Sequence, residues 1–245
     1  MKNMTSQRLF LPIFCLALVL LVNIVTTPNF FAIEVRNGVL YGYLIDIINR
    51  ASELVILAVG MTLVVSSSAG TDISVGAIMA VSAAVCCNLL TGGERAATAY
   101  ANPLILGFLA ALIVGAAIGC FNGFLVAKLN IQPMVATLIM FTAGRGIAQL
   151  ITDGQITYVR VDSYRTLGAS LPGFPVPTPF IVADVVVALT SLLLKKTALG
   201  MYIQSVGINK RASQLVGIKS VMIIFLTYAY CGLCSGLSGL IASSR

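Results

Sequence analysis

KKTALGMYIQSVGINKRASQLVGIK, residues 195–219, separates two long apolar runs. It holds five cations, Lys195, Lys196, Lys210, Arg211 and Lys219, and no acid. Short loops rich in Lys and Arg stay on the cytoplasmic side of a membrane, so this loop predicts which way the flanking runs point. It also carries local structure. Asn209 is placed to N-cap a short helix, Ala212, Leu215 and Val216 give that helix an apolar face, and Gly217 can end it. Gly200 and Gly207 read as turn residues on the way in. Such a helix either docks onto a soluble partner or lies on anionic lipid as a positive-inside loop; physics alone leaves both readings open.

Outward from this loop the chain is almost all apolar. It has 245 residues, of which 58% are hydrophobic and only 9% charged. Soluble domains carry about 25% charged residues. The apolar runs are unbroken rather than alternating, which predicts an all-α polytopic membrane protein. The formal charge of +7 does not point to nucleic acid, because the cations gather at run ends and form no basic stripe with interleaved aromatics. The six cysteines lie inside apolar runs. Cys231 and Cys234 form a C-x-x-C with no second pair and no His, which reads as small-residue helix packing rather than a metal or redox site. Nothing in the sequence calls for a cofactor.

About seven spans are expected, over residues 9–26, 43–65, 73–90, 103–127, 133–151, 179–194 and 221–243, forming one transmembrane domain over 1–245. The first is read as a span with the N-terminus inside, since no cleavage site closes it and more spans follow. On this topology eight cations lie in inside segments and five in outside ones, with Arg50 and Arg145 within spans. Small residues crowd several spans and permit close helix approach in lipid. On the last span Cys231, Gly232, Ser235, Gly236 and Gly239 call for a close neighbour, which the remaining chain is expected to fall short of supplying.

Catalytic machinery is not expected. There is no His, no nucleophile–base set in an aqueous segment, and no G-x-x-x-x-G-K-[ST] phosphate loop. The informative polar feature is SSSAGTDISVG, residues 66–76. Polar backbone at membrane depth is tolerated only against protein or a water-filled cavity, and broken helices of this kind line pathways in transporters. The plainer alternative is a two-helix turn with Asp72 capping the next span. Asp46, Arg50 and Glu53 share one helix face and can pair locally. Arg145 and Asp184 stand at similar depth in different spans, so they are expected to pair with each other, because an unpaired charge there is expensive. As a set, the intramembrane ionisable groups read equally as a polar pathway lining or as structural ion pairs.

GMTLVV (60–65) followed by SSAGTDISVG resembles the GMTLVI-x-x-GGIDLSVG segment of sugar permeases from bacterial ATP-binding-cassette importers. FNGFLVAKLNIQPMVATLIMFTAGRGIAQLIT (121–152) is similar to the next signature of that family. TALGMYIQSVGINKRASQLVGIKS (197–220) resembles the cytoplasmic segment by which such permeases contact their ATPase. The wording is nearest the galactofuranose branch, with ribose and methylgalactoside permeases close by. Ala69, Thr71 and Met134 depart from the usual Gly, apolar residue and Phe.

The resemblance implies a permease subunit moving a pentose or hexose, with a cytoplasmic ATP-binding subunit, a periplasmic sugar-binding protein and a second permease copy as partners, in the bacterial inner membrane. It implies a pathway lined from Ser68, Gly70, Thr71, Asp72, Ser74, Gly76, Asn122, Arg145, Gln149 and Asp184. It implies ATPase docking through 195–219, by Gly200, Gly207, Asn209, Lys210, Arg211, Ala212, Leu215 and Gly217. The family's chain continues past Arg245, so the closing spans are expected to be missing and this chain is expected to insert without supporting uptake. A stand-alone secondary transporter or channel, or a non-functional permease fragment, are the alternatives.

Overall fold

In lipid each backbone N–H and C=O must find its partner inside the protein, which leaves the helix as the solution for a long apolar run. The computed structural model of the protein describes residues 10–27, 30–36, 39–171 and 174–245. The expected basic start of the chain and two residues of PGFPVP lie outside the described residues. In chain order come α1 (Phe10–Thr26), β1 (Glu34–Arg36), β2 (Val39–Tyr41), α2 (Tyr43–Ser68), α3 (Val75–Thr91) and β3 (Ala96–Ala97). Then follow α4 (Leu104–Ala127), α5 (Pro133–Ile151), β4 (Tyr158–Val159), α6 (Asp162–Gly168), α7 (Thr178–Lys196), α8 (Ala198–Ile208), α9 (Lys210–Leu215) and α10 (Ser220–Ser243).

Each of the seven expected spans is a helix. Among the described residues five of them, α2, α4, α5, α7 and α10, are long and apolar enough to cross a membrane. α1 and α3 have 17 residues each. At about 1.5 Å per residue that is roughly 25 Å, less than the ~30 Å hydrocarbon core. α3 is short because the chain from Ala69 to Ser74 is non-helical and folds back against its neighbours. α1 buries none of its residues.

α10 is the centre of the bundle and packs on α4, α2 and α3. Its small residues let backbones touch. A Cβ at Gly119 would meet the Tyr228 carbonyl and stand 3.0 Å from the Gly232 Cα, and one at Gly236 would stand 3.0 Å from the Ala111 carbonyl. Van der Waals packing of this closeness is the main attraction between helices in lipid. The close neighbour expected to be lacking for α10 is therefore present, and it is α4. Cys231 and Cys234 belong to the same packing: a Cβ at Gly60 would stand 3.0 Å from the Cys231 Cα and 3.1 Å from the Cys234 Cβ.

The two ends of the bundle differ. At one end the connections hold Lys128, Lys195, Lys196, Lys210, Arg211 and Lys219, around α8 and α9. At the other end lie the antiparallel β1–β2 pair, the short parallel β3–β4 pair and α6, none of which the sequence announced. There Tyr164 of α6 hydrogen-bonds Ser243 of α10 at 2.6 Å. The local pairing expected among Asp46, Arg50 and Glu53 is not formed. Glu53 instead pairs at 2.9 Å with Arg245, whose other terminal nitrogen donates to the Asn49 carbonyl at 2.6 Å. The end of α10 returns beside the start of α2, so the partner comes from the far end of the sequence.

Candidate functional site

The polar break after α2 is built by a left-handed turn. Ala69 closes α2 at φ 54°, with its N–H bonded to the Val65 carbonyl. Asp72 then turns back on its own backbone. Its Oδ1 accepts from the Ser74 N–H at 2.8 Å and from the Ser74 hydroxyl at 2.6 Å. Asn122 of α4 donates to the same Ser74 oxygen at 2.7 Å. Asp72, Ser74 and Asn122 are all buried, so three of the candidate pathway residues are joined in one network, in which the Asp72 Oδ2 and the Asn122 Oδ1 have no hydrogen-bond partner among the described residues. Asp72 does not cap α3; Ser74 holds the cap position and Asp72 fixes Ser74.

Two residues outside the break, Thr137 and Thr227, support it and were not singled out in the sequence. The Ile73 N–H donates to the Thr137 hydroxyl of α5 at 3.1 Å, and Ser67 hydrogen-bonds Thr227 of α10 at 2.7 Å. The position of Thr137 one turn after Pro133 was the available signal; Ser67 lay within the quoted stretch 66–76, and for its partner Thr227, far along the chain, there was none.

The remaining candidates divide by exposure. Ser68, the last residue of α2, bonds back to the Val64 carbonyl at 2.8 Å. Gly70 lies against Pro133, where an added Cβ would come within 2.5 Å of the ring. Thr71 and Gly76 are exposed, as are Arg145, Gln149 and Asp184. The expected Arg145–Asp184 pair is not formed. α5 packs on α3 and α4 while α7 packs on α2, α8 and α6, so the two helices present their charges from separate faces. Arg145 instead lies 4.1 Å from the ring centroid of Phe141, on its own helix.

At the lysine-rich end the expected short helix is α9. The Asn209 side chain accepts from the Ala212 N–H at 3.0 Å, and Gly217 follows the helix at φ +87°. Lys210 donates to Asn130 at 2.8 Å, tying α9 to the α4–α5 turn. Arg211 and Ala212 are exposed. Leu215, Val216 and Ile208 are 89%, 76% and 87% exposed, so the apolar residues point away from the bundle. Gly200 and Gly207 are not turn residues. Both lie inside α8, where Gly207 touches the Ser66 carbonyl and Gly200 the Leu194 carbonyl, and a side chain at either would part the backbones.

The family described as branched-chain amino acid transport system / permease component matches residues 43–245. The chain belongs to this family. By that description its members are permease components of transport systems, and the protein is a multi-pass protein of the inner membrane. The match begins at α2 and so contains the break, α9 and α10. Among curated proteins, the galactofuranose transporter permease protein YtfT of Escherichia coli K12 is 44% identical over 229 residues, covering 94% of this chain and 64% of that protein. The fructose import permease protein FruF of Bifidobacterium longum NCC 2705 is 39% identical over 248 residues, covering 99% of this chain and 67% of that protein. The ribose import permease protein RbsC of Escherichia coli K12 is 36% identical over 236 residues, covering 94% and 68%. The chain thus spans about two thirds of the length of these relatives. No solved structure matches it.

Proposed function

We propose that the chain is a permease subunit that passes a monosaccharide, a pentose or a hexose including a furanose form, into the cytoplasm for an ATP-driven importer. The relatives whose names specify galactofuranose, fructose and ribose support the substrate class. The observation that carries the reading is α9: a capped helix at the lysine-rich end that turns Leu215 and Val216 out to water. Exposed apolar residues of that size on one short helix suit a groove on a soluble partner, here a cytoplasmic ATP-binding subunit, with Lys210 and Arg211 meeting acidic residues at its rim. In this reading 195–219 is the docking segment, and the lysine-rich end and the N-terminus lie in the cytoplasm.

Solute passes, in this reading, between this chain and a second copy. The support is Arg145 and Gln149, exposed one turn apart on α5, where an uncompensated charge facing hydrocarbon is costly; Asp184 is exposed from a separate face, on α7, and adds nothing to this support. The buried Asp72–Ser74–Asn122 network holds the break that faces the pathway through Thr71 and Gly76. A periplasmic sugar-binding protein delivers solute to the opposite end.

The test is Leu215→Asp in the chain co-expressed with its ATP-binding subunit. Because Leu215 is exposed, membrane insertion and thermal stability of the permease are expected to stay within error, while co-purification of the subunit falls at least about tenfold, the loss of one buried apolar anchor. Unchanged co-purification overturns docking through α9.

A further inference from the structure

We propose that the groove between the end of α4 and the start of α10 binds an anionic phospholipid, with its phosphate between two lysines and an acyl chain along the apolar wall. The groove measures about 680 Å³ and includes Phe124, Lys128, Lys219, Val221, Met222 and Phe225 in its lining. Phe124, Val221 and Met222 sit in the terminal turns of the two spans and remain 41%, 41% and 51% exposed. In the terminal turns of membrane-spanning helices such apolar residues are within reach of lipid tails.

Lys128 is the first residue past α4, and Lys219 the last before α10. Their ammonium groups therefore stand where hydrocarbon gives way to headgroups. The Lys128 Nζ lies 5.6 Å from the Phe124 ring centroid, so cation and apolar wall adjoin. No acid in sequence offsets the charge: the chain has no Asp or Glu between Glu94 and Asp153, and none after Asp184.

An anionic phospholipid satisfies both parts of this surface. A zwitterionic lipid satisfies the wall but carries its own cation to the lysines. A soluble protein would have to push below the headgroups to reach Val221 and Met222. Gln214, Gly217 and Ile218 also line the groove, so the lipid sits beside the segment assigned to docking, and the inference rests on α9 docking through its outward residues Leu215 and Val216 while the groove stays open to lipid.

The experiment uses the purified, delipidated chain in detergent, titrated with phosphatidylglycerol or phosphatidylcholine of the same acyl chains, with bound lipid counted by native mass spectrometry. One phosphatidylglycerol per chain is expected to bind at least about fivefold more tightly than phosphatidylcholine. Lys128→Gln with Lys219→Gln is expected to erase that preference, to which the two lysines together contribute up to about 25-fold. Lys195→Gln with Lys196→Gln removes equal charge elsewhere and is expected to leave it. Val221→Trp fills the groove with the charges intact and is expected to displace the lipid, so the proposal does not hang on the double lysine variant folding. Equal binding of the two lipids, equal loss in both lysine pairs, or full retention in Val221→Trp each overturns it. So does a Val221→Trp chain that keeps the lipid but no longer captures the ATP-binding subunit, since the groove then belongs to a protein.

Discussion

α10 and α5 are both apolar spans of similar kind, yet the bundle treats them oppositely. α10 buries most of its residues, many of them Gly, Ser and Cys, and leaves one stripe through Met222, Leu226 and Leu233 exposed. α5 buries only Ala136, Thr137, Met140 and Gly144, and exposes Arg145 and Gln149. Hydropathy places both in the membrane but does not say what each touches. The small residues do: where Gly and Ser recur a turn apart, a backbone lies against them, and where large apolar residues recur, the surface is open. In the proposed reading the charged, unpacked face of α5 is kept for solute rather than lipid.

The comparison is broken most severely at the α4–α10 contact. Gly119→Leu would drive a side chain into the Tyr228 carbonyl and the Gly232 backbone. Overpacking usually costs about 1–3 kcal/mol, and here rigid backbone leaves nowhere to yield, so more than about 3 kcal/mol or outright loss of folded protein is expected. Gly146→Leu on α5 meets nothing within 4 Å and is expected to change stability by less than about 0.5 kcal/mol. Thermal unfolding in detergent, read by size-exclusion recovery after heating, checks both. Similar tolerance at the two glycines would remove the distinction between the helices.

A middle-sized effect is expected at the break. Ser74→Ala deletes the hydroxyl that joins Asp72 to Asn122 and leaves a buried Asn122 amide without that acceptor. The expected cost is about 2 kcal/mol, the range for a buried group deprived of its partner. Thr142→Ala on the exposed face of α5 removes only bonds to its own helix and is expected to be near neutral. A Ser74→Ala chain as heat-resistant as the parent would show that the network does not hold the break.

Much of this was legible in the sequence, for reasons that also mark the limit. The spans followed from apolar length, and α9 from Asn209 and Gly217, because caps and apolar runs are local signals. α8 was not legible: Gly200 and Gly207 read as turns, and only the carbonyls of Leu194 and Ser66 across the contact explain them as close approaches. The polar residues of the break were visible, but not that Asp72, Ser74 and Asn122 close on one another, since Asn122 lies 48 residues from Ser74. Charge pairing failed for the same reason. Arg50 was the nearest cation to Glu53 in sequence, and Arg245 is its partner in space.

The smallest effect expected is a gain, at Ala69. The residue holds φ 54°, a left-handed backbone in which a Cβ crowds the following carbonyl at a cost of roughly 1–2 kcal/mol for a non-glycine residue. Glycine removes that crowding and is the usual residue just past a helix end in this conformation. The Ala69 side chain is exposed, so its loss forfeits little packing. Against the gain stands the greater freedom of glycine in the unfolded chain, which returns about 0.5–1 kcal/mol. The balance favours Ala69→Gly by a few tenths to about 1 kcal/mol, seen as a small rise in the detergent melting temperature. Gly70→Ala at the next position is expected to move the other way, because its Cβ would press into the Pro133 ring. If Ala69→Gly instead lowers the melting temperature, the alanine methyl is buried against something in the membrane that an isolated chain does not display, and the turn itself becomes part of an interface.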